Sequence, residues 1–130
     1  MIENLDSQCA SHAKEIADGV KEEDTIGKIL GVLQEDGLYA FYLYSLSLEK
    51  KSKYKDKARR IIDESSKLLT KYSLISNNSV TVENVTDIIA PLASNIDHIL
   101  FAKELLERTL IYARYHAKAL GEESTGEEEQ

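Results

Sequence analysis

The sequence predicts an all-α fold, a single compact bundle of about five or six helices ending in a long C-terminal helix. Three observations predict it. Apolar residues recur at three- and four-residue steps along most of the chain, whereas the alternation of a half-buried strand is hard to find. A single proline interrupts the 130 residues. With 42% apolar and 30% charged residues, the composition supports a packed core and excludes collagen, a disulfide scaffold and wholesale disorder. A chain of this length forms one domain that buries roughly two-thirds of its unfolded surface.

The first helix is marked by Leu5, Cys9, Ala13, Ile16, Ala17 and Val20, which make one apolar stripe. Asp24 and Thr25 are capping candidates for a short second helix carrying Ile26, Ile29, Leu30 and Leu33. Asp36-Gly37 breaks that pattern. A third helix then runs from Leu38 to about Glu49 and is apolar almost all round, so it is expected to be buried or covered by a partner. Four of the nine aromatics fall within it, at Tyr39, Phe41, Tyr42 and Tyr44. They read as core first and interface second: Tyr39 and Tyr42 share a face, Phe41 and Tyr44 another, and one pair is expected inside.

A fourth helix is predicted over 52–72, with Tyr54, Ala58, Ile61, Ile62, Leu68 and Leu69 inward. Ser76-Asn77-Asn78-Ser79 reads as a loop. Residues 80–82 allow a short extended piece, but Thr81 capping a helix over 82–90 is the preferred reading. Pro91 ends or kinks that helix. Ser94 followed by Asp97 resembles a capping box and opens the longest helix, along Ile99, Leu106, Leu110, Ala113, Ala117 and Leu120, with Gly121 as its stop. The bundle is accordingly assigned to residues 1–120, and 121–130 to a disordered acidic tail.

Charge is unevenly distributed. The chain carries a net −7, yet residues 1–36 hold nine acids and three lysines, and the last ten residues hold five glutamates and no base. Residues 49–60, EKKSKYKDKARR, reverse the sign with seven bases against two acids. A local positive patch attracts phosphate even on an acidic molecule, because screening confines each field to about 8–10 Å. The candidate nucleic-acid-binding residues are therefore Lys50, Lys51, Lys53, Lys55, Lys57, Arg59 and Arg60, with Lys53, Lys57 and Arg60 on one helical face and Tyr54 placed to stack on a base. Lysines at a helix N-terminus oppose the macrodipole, which favours a functional reading over solubility alone. Arg108, Arg114 and Lys118 on the last helix form a secondary candidate surface, whose commoner use is pairing with Glu104 and Glu107.

Catalytic equipment is not visible. His12, His98 and His116 are scattered, and Cys9-x-x-His12 has no second pair to complete a zinc site. No glycine-rich phosphate loop is present. The arginine-to-histidine spacing of small helical ribonucleases of the HEPN type is also missing, since seven residues separate Arg108 from His116 and one separates Arg114 from it. The expectation is a protein that is not an enzyme and takes no cofactor or metal. No apolar run reaches the length of a membrane span, and the lone cysteine fits a reducing compartment, which together predict a cytoplasmic location with no membrane contact.

Two stretches resemble a known family. KILGVLQEDGLYAFYLYSLSLEKKSKYK and FAKELLERTLIYARYHAKALGEE are similar to parts of the small α-helical subunit of type III-B CRISPR RNA-guided effector (RAMP module) complexes. Gly31 stands where that family often has a proline. The small subunits of type III-A and some type I complexes share the length and helicity. The resemblance implies a non-catalytic structural subunit of an antiviral ribonucleoprotein complex. Its copies stack beside the guide-holding backbone and line the channel of the target or guide RNA through the basic residues named above. Implied partners are the other complex subunits, RNA through its phosphates, and further copies of the same chain, the acidic N-terminal third facing solvent or a neighbour's basic side. The alternatives are a helical protein–protein adaptor whose interface is the aromatic third helix, and a small hydrolase depending on His12 or His116.

Overall fold

A computed structural model describes residues 5–128, with side chains described through 121. It is all-helical among the described residues, with α1 (Leu5–Val20), α2 (Glu23–Asp36), α3 (Leu38–Glu49), α4 (Lys55–Lys71), α5 (Val85–Ile89), a 3-10 helix (Ala90–Ser94) and α6 (Ile96–Glu128). The five long helices close into a ring in the order α6, α1, α4, α3, α2, with each packed chiefly on its two neighbours. Opposed pairs fix their directions. Glu15 lies against Arg60 and His12 against Glu64, Glu49 against Arg59 and Tyr42 against Ser66, and Glu23 against Arg114 with Gln34 against Lys103. Hence the α1–α2 turn, the α3–α4 turn and the later part of α6 share one end of the bundle.

The inward faces are those of the apolar periodicity. Cys9, Ala13, Ile16, Ala17 and Val20 of α1 are buried against Ile61, Ile62, Leu68 and Leu69 of α4 and Leu105, Leu106 and Leu110 of α6 in one cluster. Each fully buried aliphatic side chain contributes about 1.5–3 kcal/mol, and truncating one such as Ile61 to alanine costs about 2–5 kcal/mol. Tyr54 packs partly against this core rather than inside it, and Leu120, expected inward, is exposed.

Several boundaries differ from expectation for local reasons. Glu22 rather than Asp24 or Thr25 precedes α2, and Thr25 donates its hydroxyl back to the Glu22 carboxylate at 3.0 Å. Gly37 joins α2 to α3 at φ 98°, a conformation open to glycine at little cost. The fourth helix starts at Lys55, because residues 50–54 close tighter three-residue turns, Lys51 N to Leu48 O and Tyr54 N to Lys51 O. The expected helix over 82–90 shrinks to α5. Its first residues are drawn into a loop by Asn84, whose side chain accepts from Thr81 N at 2.8 Å and donates to Ser79 O at 2.9 Å. Pro91 lies in the 3-10 helix. Asn95, not Ser94, receives the free amide of His98 at the start of α6, while the Ser94 hydroxyl turns back to Pro91 O. Gly121 does not stop α6, which continues to Glu128. The expected disorder of the tail concerns residues whose side chains lie outside the described set.

The aromatic pairing is also corrected. Phe41 and Tyr42 are both fully buried and meet edge to face with centroids 5.0 Å apart, whereas Tyr39 is exposed and Tyr44 half-buried. Helix α3 is covered by both α2 and α4, so its buried arc is wide enough to take one member of each expected pair. The α4–α5 segment then straps the outside, with Val80 buried and Tyr39 and Thr86 joined through their hydroxyls at 2.7 Å.

Candidate nucleic-acid interface

The ten candidate cations divide into two populations. Arg59 is a structural residue. Its Nε and Nη2 donate to the two oxygens of Glu49 at 2.8 and 2.7 Å, and its Nη1 donates to Asp63 and to the Val80 carbonyl at 3.1 and 3.0 Å. One guanidinium thus ties the end of α3, the middle of α4 and the outer strap together, and little of it is left for phosphate. Lys57 meets Glu22 at 2.7 Å, and Arg60 meets Glu15 at 3.7 Å. Arg60 also lies across Gly19, where a Cβ would fall 2.3 Å from its Nε, so a larger residue at 19 would push the Arg60 side chain aside. Arg108 is shared between Asp6 and Glu104, both at 3.4 Å, and Arg114 donates through Nε to Glu23 at 2.9 Å.

These pairs divide the expected site. Five of its members, Lys57, Arg59, Arg60, Arg108 and Arg114, meet carboxylates of this same chain. The acidic N-terminal third does not simply face solvent or a neighbour, because Asp6, Glu15, Glu22 and Glu23 supply four of those partners. The shared face of Lys53, Lys57 and Arg60 is likewise lost, as Lys53 precedes α4 and the other two are paired.

The second population is Lys50, Lys51, Lys53, Lys55 and Lys118. All five are exposed, and among the described residues none has a carboxylate within 4.0 Å. The first four occupy the α3–α4 turn and the first residue of α4. Lys53 Nζ stands 5.4 Å from the Tyr54 ring centroid, within cation–π range. Beside it lies a cleft of about 300 Å³ lined by Leu46, Lys50, Lys55 and Val82 together with Glu49 and Glu83. Four ammonium groups on a turn at a helix N-terminus make a concentrated positive field.

Adjacent residues Glu22 and Glu23 connect the two basic regions, one reaching α4 through Lys57 and the other α6 through Arg114. Hydrogen bonds from Lys57 and then Thr25 hold the Glu22 carboxyl below the ordinary carboxylate range, against the opposing effect of burial, and the nearby charges of Lys57 and Lys53 act in the same direction. This bridge is invisible to charge counting, since Arg114 and Glu23 are 91 residues apart.

The histidine and cysteine candidates have separate structural partners. His12 Nδ1 lies 2.8 Å from Glu64, a residue only 4% exposed that Lys67 also reaches at 3.2 Å. Cys9 is buried with its thiol directed at the Leu105 carbonyl at 3.8 Å. Among the described residues no group of three or more His, Cys, Asp or Glu side chains is placed to hold a metal ion, and no helix is long and apolar enough to cross a membrane.

In comparisons with known proteins, no family model, curated protein or solved structure matches this chain.

Proposed function

We propose that the chain is a non-catalytic helical subunit of an RNA-guided assembly that grips a nucleic-acid backbone through the lysine turn 50–55. The observation carrying this reading is the set Lys50, Lys51, Lys53 and Lys55, which among the described residues has no carboxylate within 4.0 Å, whereas five of the other candidate cations are paired. Ammonium groups bind phosphate without reading bases, which suits a subunit whose specificity is delegated to guide pairing. The resemblance of residues 28–55 and 101–123 to the small subunits of type III-B CRISPR complexes supplies the assembly, with other complex subunits, guide or target RNA and further copies of this chain as partners.

The test is a salt titration of single-stranded RNA binding by the full chain, alone and with any co-purifying subunits. Wild type should show a log–log slope of about −3, as four phosphate contacts at about −0.7 each require. Changing Lys50, Lys51, Lys53 and Lys55 to glutamate should abolish binding with helicity intact. Undiminished binding by that variant would overturn the proposal.

A second reading, a protein–protein adaptor, is favoured by one observation. Tyr39 and Leu43 are one turn apart on α3 and 38% and 39% exposed, and Ile96 and Leu100 repeat the spacing on α6 at 66% and 57%. Under that reading the lysine variant keeps its partner and a Leu43→Asp, Leu100→Asp variant loses it.

A further inference from the structure

A second cleft, of about 320 Å³, opens between α2 and α6 at the same end of the bundle as the lysine turn. On α6 it takes Ile111, Arg114, Tyr115 and Lys118, whose three- and four-residue spacing places them on one face. On α2 it takes Glu23, Leu30 and Gln34, with Gly27 between them. The floor is apolar, because Leu30 is buried and Ile111 half-buried. The Tyr115 ring stands at the rim, 68% exposed, the most exposed large hydrophobic side chain among the described residues. Arg114 is fixed by its Nε bond to Glu23 and lies over Gly27, where a Cβ would fall 3.5 Å from Nε and 3.6 Å from Cζ. Its two Nη groups have no partner among the described residues, and neither has Lys118 one turn further on.

We infer that this cleft is a subsite for one unpaired nucleotide, with the base against Tyr115 and the Leu30–Ile111 floor and the phosphate between the Arg114 Nη groups and Lys118. The ligand class follows from the lining. A bare phosphate would use the two cations and leave the ring and floor wet. An uncharged planar ligand would cover the ring and leave two cations unused. A nucleotide satisfies both, and base–aromatic stacking tolerates any base because each presents a π-face. Glu23 offsets one of the two positive charges, which limits the cleft to a single phosphate. The choice of nucleotide over an acidic aromatic peptide rests on the proposed RNA contact at the lysine turn. The Glu22–Glu23 link sets both features at one end of the molecule, so a strand held at one passes the other.

The experiment titrates the full chain, carrying 13C-labelled tyrosine rings, with adenosine 5′-monophosphate, with adenosine, with inorganic phosphate and with an acidic phenylalanine-containing peptide. The Tyr115 signal, identified by its loss in Tyr115→Phe, should shift with the nucleotide at millimolar concentration and less with adenosine or phosphate alone. Tyr115→Ala should weaken nucleotide binding by about 5- to 150-fold, the range for losing one base–aromatic stack, whereas Tyr115→Phe should retain it. Lys118→Gln should weaken the nucleotide more than adenosine. No Tyr115 shift with the nucleotide, or a shift with the peptide alone, overturns the inference. The glutamate variant of the lysine turn separates the two claims: if it still binds RNA, the lysine-turn reading fails while the nucleotide shift at Tyr115 stands on its own.

Discussion

Arg59 holds both carboxylate oxygens of Glu49 at once, at 2.8 and 2.7 Å, across the segment that contains the lysine turn. The pair closes the base of that turn, so the most basic segment of the chain owes its shape to a buried-edge ion pair rather than to its lysines. A bidentate arginine–carboxylate pair is geometrically specific, and lysine cannot reproduce it. Arg59→Ala is expected to lower stability by about 1–3 kcal/mol, the upper part of that range applying because Asp63 and the Val80 carbonyl also lose their donor. Urea unfolding measures this, and Arg59→Lys should recover only part of the loss. Variants of Arg59 that remain folded should keep their RNA affinity. A loss of affinity at unchanged stability would return Arg59 to the binding surface.

The Glu22–Lys57 pair gives a pH prediction of definite sign. Glu22 titrates below its ordinary range in the folded chain, chiefly because Lys57 and Thr25 donate to it. Its contribution to stability is present above the unfolded-state value and is lost as pH falls through the folded one. The carboxylate is 48% exposed, so screening keeps the effect within about 1 kcal/mol. Glu22→Gln should lower stability at neutral pH and flatten the acid limb of the stability curve. The two curves should converge below the carboxylate range, and added salt should narrow the gap at neutral pH.

How much of this was legible in the sequence depends on the range of the interaction. Helix α3 was read correctly to both ends, since Asp36-Gly37 and the polar turn at Lys50 are local signals. The stripe from Cys9 to Val20 is buried as its periodicity required. Boundaries slipped where a side chain competed with the backbone: Asn84 unwinds the expected start of α5, and Asn95 takes the capping role that Ser94 was expected to fill. The pairing of the basic candidates was hidden for a different reason. A run of seven bases shows where cations lie in the chain, but Glu22, Glu15 and Glu23 reach Lys57, Arg60 and Arg114 only after α1, α2, α4 and α6 have assembled. The α2–α6 cleft escaped notice because its two walls are distant in sequence. Its signal was the 111–114–115–118 face, which carries apolar, basic and aromatic groups together.

Cys9 is expected to be chemically silent in the native state. It is fully buried, and burial pushes its thiol above the ordinary value, outweighing the opposing influences of Thr109 and Arg108. The reactive species is the thiolate, so both access and ionisation oppose modification. Labelling with a thiol-specific disulfide reagent at neutral pH should be far slower than in urea and should follow the unfolding transition. Prompt labelling of the native chain would show that α1 and α6 separate readily around Leu105.

Ser65 and Ser66 are neighbours on α4, yet their substitution by alanine should have opposite effects. Both are fully buried. The Ser66 hydroxyl meets that of Tyr42 at 2.9 Å, whereas Ser65 Oγ has no hydrogen-bond partner among the described residues. Alanine gains about 0.5 kcal/mol of helix propensity over serine at either position, so propensity cancels in the comparison. At 65 the change also removes a buried hydroxyl that has lost its water without replacement, and Ser65→Ala should stabilise by about 1–2 kcal/mol. At 66 it orphans the Tyr42 hydroxyl, whose deep burial already raises its pKa well above that of a free phenol, and Ser66→Ala should destabilise by about 1–2 kcal/mol despite the propensity gain. Each kcal/mol moves the melting temperature of a domain this size by about 3–5 °C, so the two variants should straddle wild type in a thermal scan. Tyr42→Phe combined with Ser66→Ala leaves no orphaned hydroxyl at that contact, and the double variant should be more stable than the sum of its single changes implies. If Ser65→Ala and Ser66→Ala shift the midpoint in the same direction, the Tyr42–Ser66 contact is not holding α3 against α4.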